Sequence, residues 1–221
     1  MRLITYSNIG AREKNEDRFA HHELPNGDTI FMVADGMGGY EAGEVAANTA
    51  IDAIITALSR DPASIPAAIE WANNEIASKK RSLGVEEMGC TLAGVLLHKE
   101  TVSIFWAGDT RVYLIRDNRV IFETEDHSLI NEMRKVCHLT PAQIRKYEHI
   151  VRRSLMGNST DVVEIVEKQV QPGDEVLICS DGIHKEVPLF ILLEKLRNES
   201  DFHMDNRKFT DNNTFIYFTI D

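Results

Sequence analysis

Four aspartates in this sequence stand at the ends of apolar runs. Ile30-Phe31-Met32-Val33-Ala34 leads into Asp35-Gly36, Phe105-Trp106-Ala107-Gly108 into Asp109, and Val176-Leu177-Ile178-Cys179-Ser180 into Asp181-Gly182. Asp211-Asn212 stands just ahead of the apolar run Thr214–Ile220. Any one of these reads as ordinary turn chemistry, since Asp-Gly is a common hairpin signal. Four together are expected to bring carboxylates to one rim of a sheet. Two unit charges about 4 Å apart repel by about 4 kcal/mol at an effective dielectric of 20, so such a group calls for cations. Oxygen ligands with no histidine or cysteine pattern beyond a lone His184 favour Mg²⁺ or Mn²⁺ over Zn²⁺, with Ca²⁺ open. Glycine after Asp35 and Asp181 removes a side chain and lets a backbone carbonyl approach an ion.

The elements that must position these acids are legible from periodicity. Strands are predicted over Thr29–Ala34, Thr91–Leu97, Thr101–Ala107, Arg111–Arg116, Val162–Val170, Glu175–Cys179 and Thr214–Ile220, all rich in β-branched and aromatic residues. Short links such as His98-Lys99-Glu100 and Asp117-Asn118 favour antiparallel pairing. Helical spacing covers Glu41–Ser59, where Val45, Thr49, Ala53 and Ala57 recur beside Ala46, Ala50, Ile54 and Leu58. A second helix follows Pro62 or Ser64, with Ile65, Ile69, Ala72 and Ile76 on one face. A third starts at Thr140-Pro141-Ala142-Gln143, a capping-box pattern, and a fourth spans Pro188–Arg197. Helices set between runs of strands give an α+β class.

Composition bounds the function. The 221 residues suit one domain over 1–221, and 24 Lys and Arg against 35 Asp and Glu give a net charge of −11. That sign argues against nucleic-acid binding. No apolar run is long enough for a membrane span, and the N-terminus carries no secretory pattern. Three cysteines, Cys90, Cys137 and Cys179, fit neither a disulfide framework nor paired zinc ligands, which points to a reducing cytoplasm. Histidines 21, 22, 98, 138, 149 and 203 show no ligand pattern.

Seven blocks, in order, resemble the metal-dependent serine/threonine protein phosphatases of type 2C, also called the PPM family. They are Arg12-x-x-Asn15-Glu16-Asp17, Val33-Ala34-Asp35-Gly36-Met37-Gly38-Gly39, Gly89-Cys90-Thr91-Leu92, Gly108-Asp109-Thr110-Arg111-Val112-Tyr113, Glu125-Asp126-His127-Ser128-Leu129, Ser180-Asp181-Gly182-Ile183 and Asp211-Asn212-x-Thr214. The resemblance implies a four-layer αββα sandwich, two antiparallel sheets with a pair of helices outside each. It implies that Asp35 bridges two Mn²⁺ or Mg²⁺ ions, with the Gly36 carbonyl, Asp181 and Asp211 as further ligands and Glu16 and Asp17 acting through waters. A hydroxide shared by the two ions would then attack phosphorus in line, without a covalent intermediate. Arg12 matches the family's phosphate-binding arginine, whose planar fork suits two phosphate oxygens. Implied partners are a phosphorylated protein substrate and an opposing serine/threonine kinase, around a monomer.

Departures from the family pattern are informative. Met37 stands where many eukaryotic members carry a histidine proposed as general acid, which marks the bacterial type and leaves that role unassigned. Asp109 and Asp181 match a weaker third metal site, but the usual next acid is Lys185, whose charge should weaken it. Residues 128–157 correspond to the variable flap, where Arg145, Lys146, Arg152 and Arg153 form either a contact for an acidic phosphopeptide or a solvated helix face. The interval from Asp181 to Asp211 implies a shortened C-terminal part, and Arg111 reads as a salt-bridge partner. Two other functions compete: a catalytically weak relative that binds phosphoproteins as a regulator, and a domain in which cations only tie strands together. Arg12 discriminates against the last, which needs no phosphate clamp.

Overall fold

A computed structural model describes residues 1–37, 42–60, 64–198 and 209–221. Gly38, Gly39, the expected helix starts at Glu41 and Pro62, and His203 lie outside the described residues. In chain order the strands are β1 (Leu3–Asn8), β2 (Asp17–Glu23), β3 (Thr29–Met37), β4 (Gly89–His98), β5 (Thr101–Ala107), β6 (Arg111–Arg116), β7 (Arg119–Glu123), β8 (Glu164–Gln169), β9 (Glu175–Cys179) and β10 (Asn213–Thr219). The helices are α1 (Ala42–Arg60), α2 (Ile65–Leu83), α3 (Leu129–Arg134), α4 (Pro141–Tyr147), α5 (Asp181–His184) and α6 (Leu189–Asn198).

Two antiparallel sheets of five strands form, ordered β1-β10-β9-β6-β7 and β2-β3-β4-β5-β8. Strand alternation explains their apolar runs. On β3, Phe31 and Val33 face the opposite sheet, while Ile30, Met32 and Ala34 face α1 and α2. On β9, Val176 and Ile178 point inward, and Leu177 and Cys179 meet α6. A strand buried on both faces has no polar positions to alternate with, hence the continuous hydrophobic sequence. Phe31 stacks on Phe218 across the sandwich with ring centroids 3.9 Å apart. The result is the four-layer architecture, with α1 and α2 outside one sheet. The other sheet is covered, among the described residues, by α6 and the single turn α5.

The expected edges differ in instructive ways. β1, β2 and β7 carry no clear strand signal in the sequence, and all three are edge strands with polar, exposed positions such as His21-His22-Glu23. The short helices α3 and α5 are too brief to show a period. Ser64, rather than Pro62, caps α2, accepting from the Ala67 N–H at 3.3 Å. The capping box at Thr140 and Gln143 forms as its sequence suggests.

Removing the ring in Phe31→Ala opens a cavity between the sheets and should cost about 3–5 kcal/mol. Urea unfolding followed by tryptophan fluorescence measures it; a loss below about 1 kcal/mol would show that this contact does not clamp the sandwich.

Candidate active site

Antiparallel order brings the ends of β3, β5 and β9 and the starts of β2 and β10 to the same rim. Asp17, Asp35, Asp109, Asp181 and Asp211 all lie there. The expectation of a single sheet's rim is corrected: Asp35 belongs to one sheet, Asp181 and Asp211 flank strands of the other, and Asp109 lies in the link from β5 to β6 that passes between the sheets, so the acids face each other across the mouth of the sandwich. Asp35-Gly36 is no turn either, because β3 continues to Met37, with Asp35 opposite Thr91 and Gly36 opposite Cys90. The parity that turns Phe31 and Val33 inward turns Asp35 inward as well. Asp17 stands beside it in register on β2.

Close packing fixes these backbones. A Cβ on Gly36 would lie 2.3 Å from the Gly43 carbonyl oxygen and 2.8 Å from that of Glu16, so α1 meets β3 backbone to backbone. The Glu16 carboxylate rests by Gly43 at the start of α1, and burial pushes its pKa up. Asn212 ties the loop that carries Arg12: its Nδ2 donates to the carbonyls of Ile9 and Lys14, both at 2.8 Å, and its Oδ1 accepts from the Glu16 N–H at 2.8 Å. Gly10, at φ +61°, turns that loop directly against Asp211, where a Cβ has no room. Ser180 joins the two sheets by donating to Asp17 Oδ2 at 2.8 Å and accepting from the Thr214 N–H at 3.0 Å. Asn212 and Ser180 sat inside the sequence blocks, but only the fold shows what their side chains hold.

The electrostatics follow from crowding. Burial, then the neighbouring Asp17, Asp181, Asp109 and Asp211, raise the Asp35 pKa well above the ordinary carboxylate range. Burial pushes Asp17 up to about 7 despite the hydroxyl of Ser180, and Asp109 is raised for the same reason. Burial raises Asp181 too, but Lys185 more than offsets it and leaves the carboxyl below its ordinary value. Two side-chain cations serve the cluster. Arg12 Nη2 donates to Asp211 Oδ2 at 2.6 Å, and Lys185 Nζ donates to Asp181 Oδ2 at 2.8 Å and Asp109 Oδ2 at 3.1 Å. His184, pushed down to about 4 by burial and the Arg111 charge, is neutral near pH 7; its Nε2–H donates to the Asp109 carbonyl at 2.8 Å. Arg111 forks onto Asp126 at 2.7 Å through both Nε and Nη2, the salt-bridge role expected of it.

The residues fit hard divalent ions in chemistry: oxygen donors only, surplus negative charge, and a buried Asp17 Oδ1 with no hydrogen-bond partner. Among the described residues no three carboxylate, histidine or cysteine side chains already close on a common point. Arg12 and Lys185 hold three of the acids instead.

Comparison with known proteins identifies the family. The family model of Protein phosphatase 2C matches residues 5–213. The serine/threonine phosphatase stp of Listeria welshimeri is 31% identical over 189 residues, covering 80% of this chain and 75% of that protein. The serine/threonine protein phosphatase PstP of Mycobacterium tuberculosis is 29% identical over 194 residues, 84% of this chain but 37% of that longer protein. The structure of the PstP catalytic domain in complex with two manganese ions superposes with a TM-score of 0.79 at 25% identity, covering 98% of this chain and 96% of that one. A Streptococcus agalactiae serine/threonine phosphatase structure, at 23% identity and TM-score 0.84 over 99% of both chains, shares the fold. The chain belongs to the protein phosphatase 2C family, and with it to the protein serine/threonine phosphatases.

The raised pKa values carry a sign. Asp17 and Asp35 bind protons more tightly folded than unfolded, so their contribution to stability is present below the ordinary carboxylate value of 3.8 and is lost as pH rises, for Asp17 through about 7. His184 works the other way, losing its contribution as pH falls from 6.5 toward about 4. Asp35→Asn isolates the first effect. In chelator it should melt above the parent at pH 8, by about 2–4 °C for each kcal/mol relieved, with the gap narrowing toward pH 5.5. Mn²⁺ should raise the parent's Tm far more than the variant's. A variant that melts below the parent at pH 8 in chelator would exclude repulsion as the main strain.

Proposed function

We propose that this protein hydrolyses phosphoserine and phosphothreonine in other proteins by direct attack of water on phosphorus, at a centre charged with two Mn²⁺ or Mg²⁺ ions. The observation that carries this reading is the convergence of five aspartates from both sheets on one rim with Arg12 beside them. Asp35, the Gly36 carbonyl, Asp181 and Asp211 would hold the ions, with Glu16 and Asp17 reached through water. Two such ions would supply the positive charge and Lewis acidity that activate water near neutral pH.

The chain's own groups do the rest. Arg12 is 58% exposed and uses one nitrogen on Asp211, leaving further N–H donors for the oxygens of a phosphoryl group. Asp17, with Oδ2 taken by Ser180, presents Oδ1 as an acceptor that orients an incoming water. Met37 offers no proton at its place beside Gly36, and His184 keeps its Nε2–H on Asp109, so neither side chain serves as the acid for the leaving group.

Lys185 bears on the number of ions. Its ammonium stands between Asp109 and Asp181, which supports two ions rather than three. The same contact is what favours the second reading, a catalytically weak relative that binds phosphoproteins as a regulator. We read the 221 residues as one phosphatase domain with a flap at 128–157 and a shortened C-terminal part, acting as a monomer in the cytoplasm against a serine/threonine kinase. The three unpaired cysteines support that compartment, and among the described residues no helix is long and apolar enough to cross a membrane.

Phosphate release from a phosphothreonine peptide should need Mn²⁺ and fall at least about a hundredfold in Asp35→Asn. Metal-bound but inactive parent protein would favour the regulatory reading. Arg12→Ala should lower kcat/KM about 10–100-fold, as expected for a charged hydrogen bond of about 1.5–3 kcal/mol; unchanged turnover would remove Arg12 from phosphate binding. Calorimetric titration with Mn²⁺ should count two ions in the parent and one more in Lys185→Asp. Three comparable sites in the parent would contradict the role given to Lys185.

A further inference from the structure

Charge is distributed unevenly along this chain. Residues 128–157 hold Arg134, Lys135, Arg145, Lys146, Arg152 and Arg153 against Glu132 and Glu148, a net of plus four, which leaves minus fifteen on the rest of a protein of net −11. Both ends of the segment are pinned at the aspartate rim. Leu129 donates its N–H to Ile150 O at 2.9 Å, Arg152 to His127 O at 2.7 Å, and Leu155 pairs with Cys90, the residue opposite Gly36. His127 in turn accepts from the Gly108 N–H through Nδ1 at 3.1 Å, one residue before Asp109. A phosphoryl group at the aspartates therefore has this segment beside it.

Three of its six cations are used within the protein. Lys135 pairs with Glu125 at 2.8 Å, Arg152 with Glu132 at 3.2 Å and Arg153 with Glu164 at 2.9 Å. The other three have no carboxylate partner among the described residues: Arg134 touches only Asn131 Oδ1 at 3.5 Å, Lys146 lies over the ring of Tyr147 at 5.1 Å, and Arg145 is exposed. α4, which carries Arg145 and Lys146, buries none of its seven residues. All three stand in the last turns of their helices, where a cation favours the helix dipole, but none needs that place to satisfy a carboxylate among the described residues.

A protein of net charge −11 repels an acidic phosphorylated substrate, and a basic patch at the mouth offsets that field. Resting on the phosphatase reading above, we propose that the α3–α4 segment docks acidic residues flanking the phosphorylated serine or threonine of the substrate, with Arg134, Arg145 and Lys146 as its contacts. Three exposed ion pairs of this kind amount to a preference of about tenfold, and screening should erase it at high salt.

The test compares kcat/KM for phosphothreonine peptides that differ only in Glu or Ala flanks, in the parent and in R134E/R145E/K146E. The acidic-to-neutral ratio is read within each protein, so partial loss of folded enzyme cancels. A ratio of about ten in the parent at low ionic strength, near one in 0.5 M NaCl and at or below one in the variant, supports the proposal. A parent ratio of one or less, or an equal ratio in the variant, overturns it. If neither peptide is hydrolysed, the phosphatase reading fails, and fluorescence anisotropy of the same labelled peptides decides the docking surface separately. Tighter binding of the acidic peptide by the parent alone supports docking, and equal binding overturns it.

Discussion

Repulsion among Asp17, Asp35, Asp109, Asp181 and Asp211 is the load that this fold has to carry. Each aspartate is delivered by a different strand or strand end, and Asp35 in particular cannot retreat, because β3 is held by neighbours on both sides and by apolar layers on both faces. The structure answers with counter-charge and with donors. Arg12 meets Asp211, Lys185 meets Asp109 and Asp181, and the Ser180 hydroxyl meets Asp17. Asp35, the most central, has acids on several sides, and its affinity for a proton rises most plainly. Crowded acids of this kind lower stability and are retained where function needs them, a common trade between stability and activity.

Much of this was legible because two signals coincide in the sequence. A run such as Ile30–Ala34 has no polar position, which only a strand covered on both sides tolerates, and an acid at its end is then held at a rim. The pairing of rims was not legible. Strand parity and sheet order decide that Asp35 and Asp181 face each other, and neither is a local property of the chain. The edge strands β1, β2 and β7 were hidden for the opposite reason: half-solvated, they mix polar and apolar residues and resemble loops. The resemblance supplied candidate ligands by position, whereas the bonds of Asn212 and Ser180, which hold the N-terminal loop and join the sheets, required the three-dimensional arrangement.

The contrast between scaffold and flap has the same physical origin. The sandwich buries both faces of its central strands, while α4 buries nothing and is held by its capping box and by backbone bonds at the flap's two ends. Segments with so little burial tolerate exchange of their exposed residues at small cost in stability, as surface loops on rigid scaffolds do. Charge can therefore accumulate on residues 128–157 without disturbing the aspartate centre.

Lys185 shows how one short helical turn supplies counter-charge to part of the rim. Asp181 and Lys185 are four residues apart across α5, the spacing that lays one side chain over the other. From there the ammonium reaches Asp109 in the β5–β6 link between the two sheets, while the Ser180–Asp17 bond joins the sheets themselves at the mouth of the sandwich. A tethered cation is always present at full occupancy, needs no supply from solution and cannot be removed by a chelator. It also carries a single charge and no Lewis acidity. At Asp109 the protein has part of the neutralising effect of an ion without its chemistry.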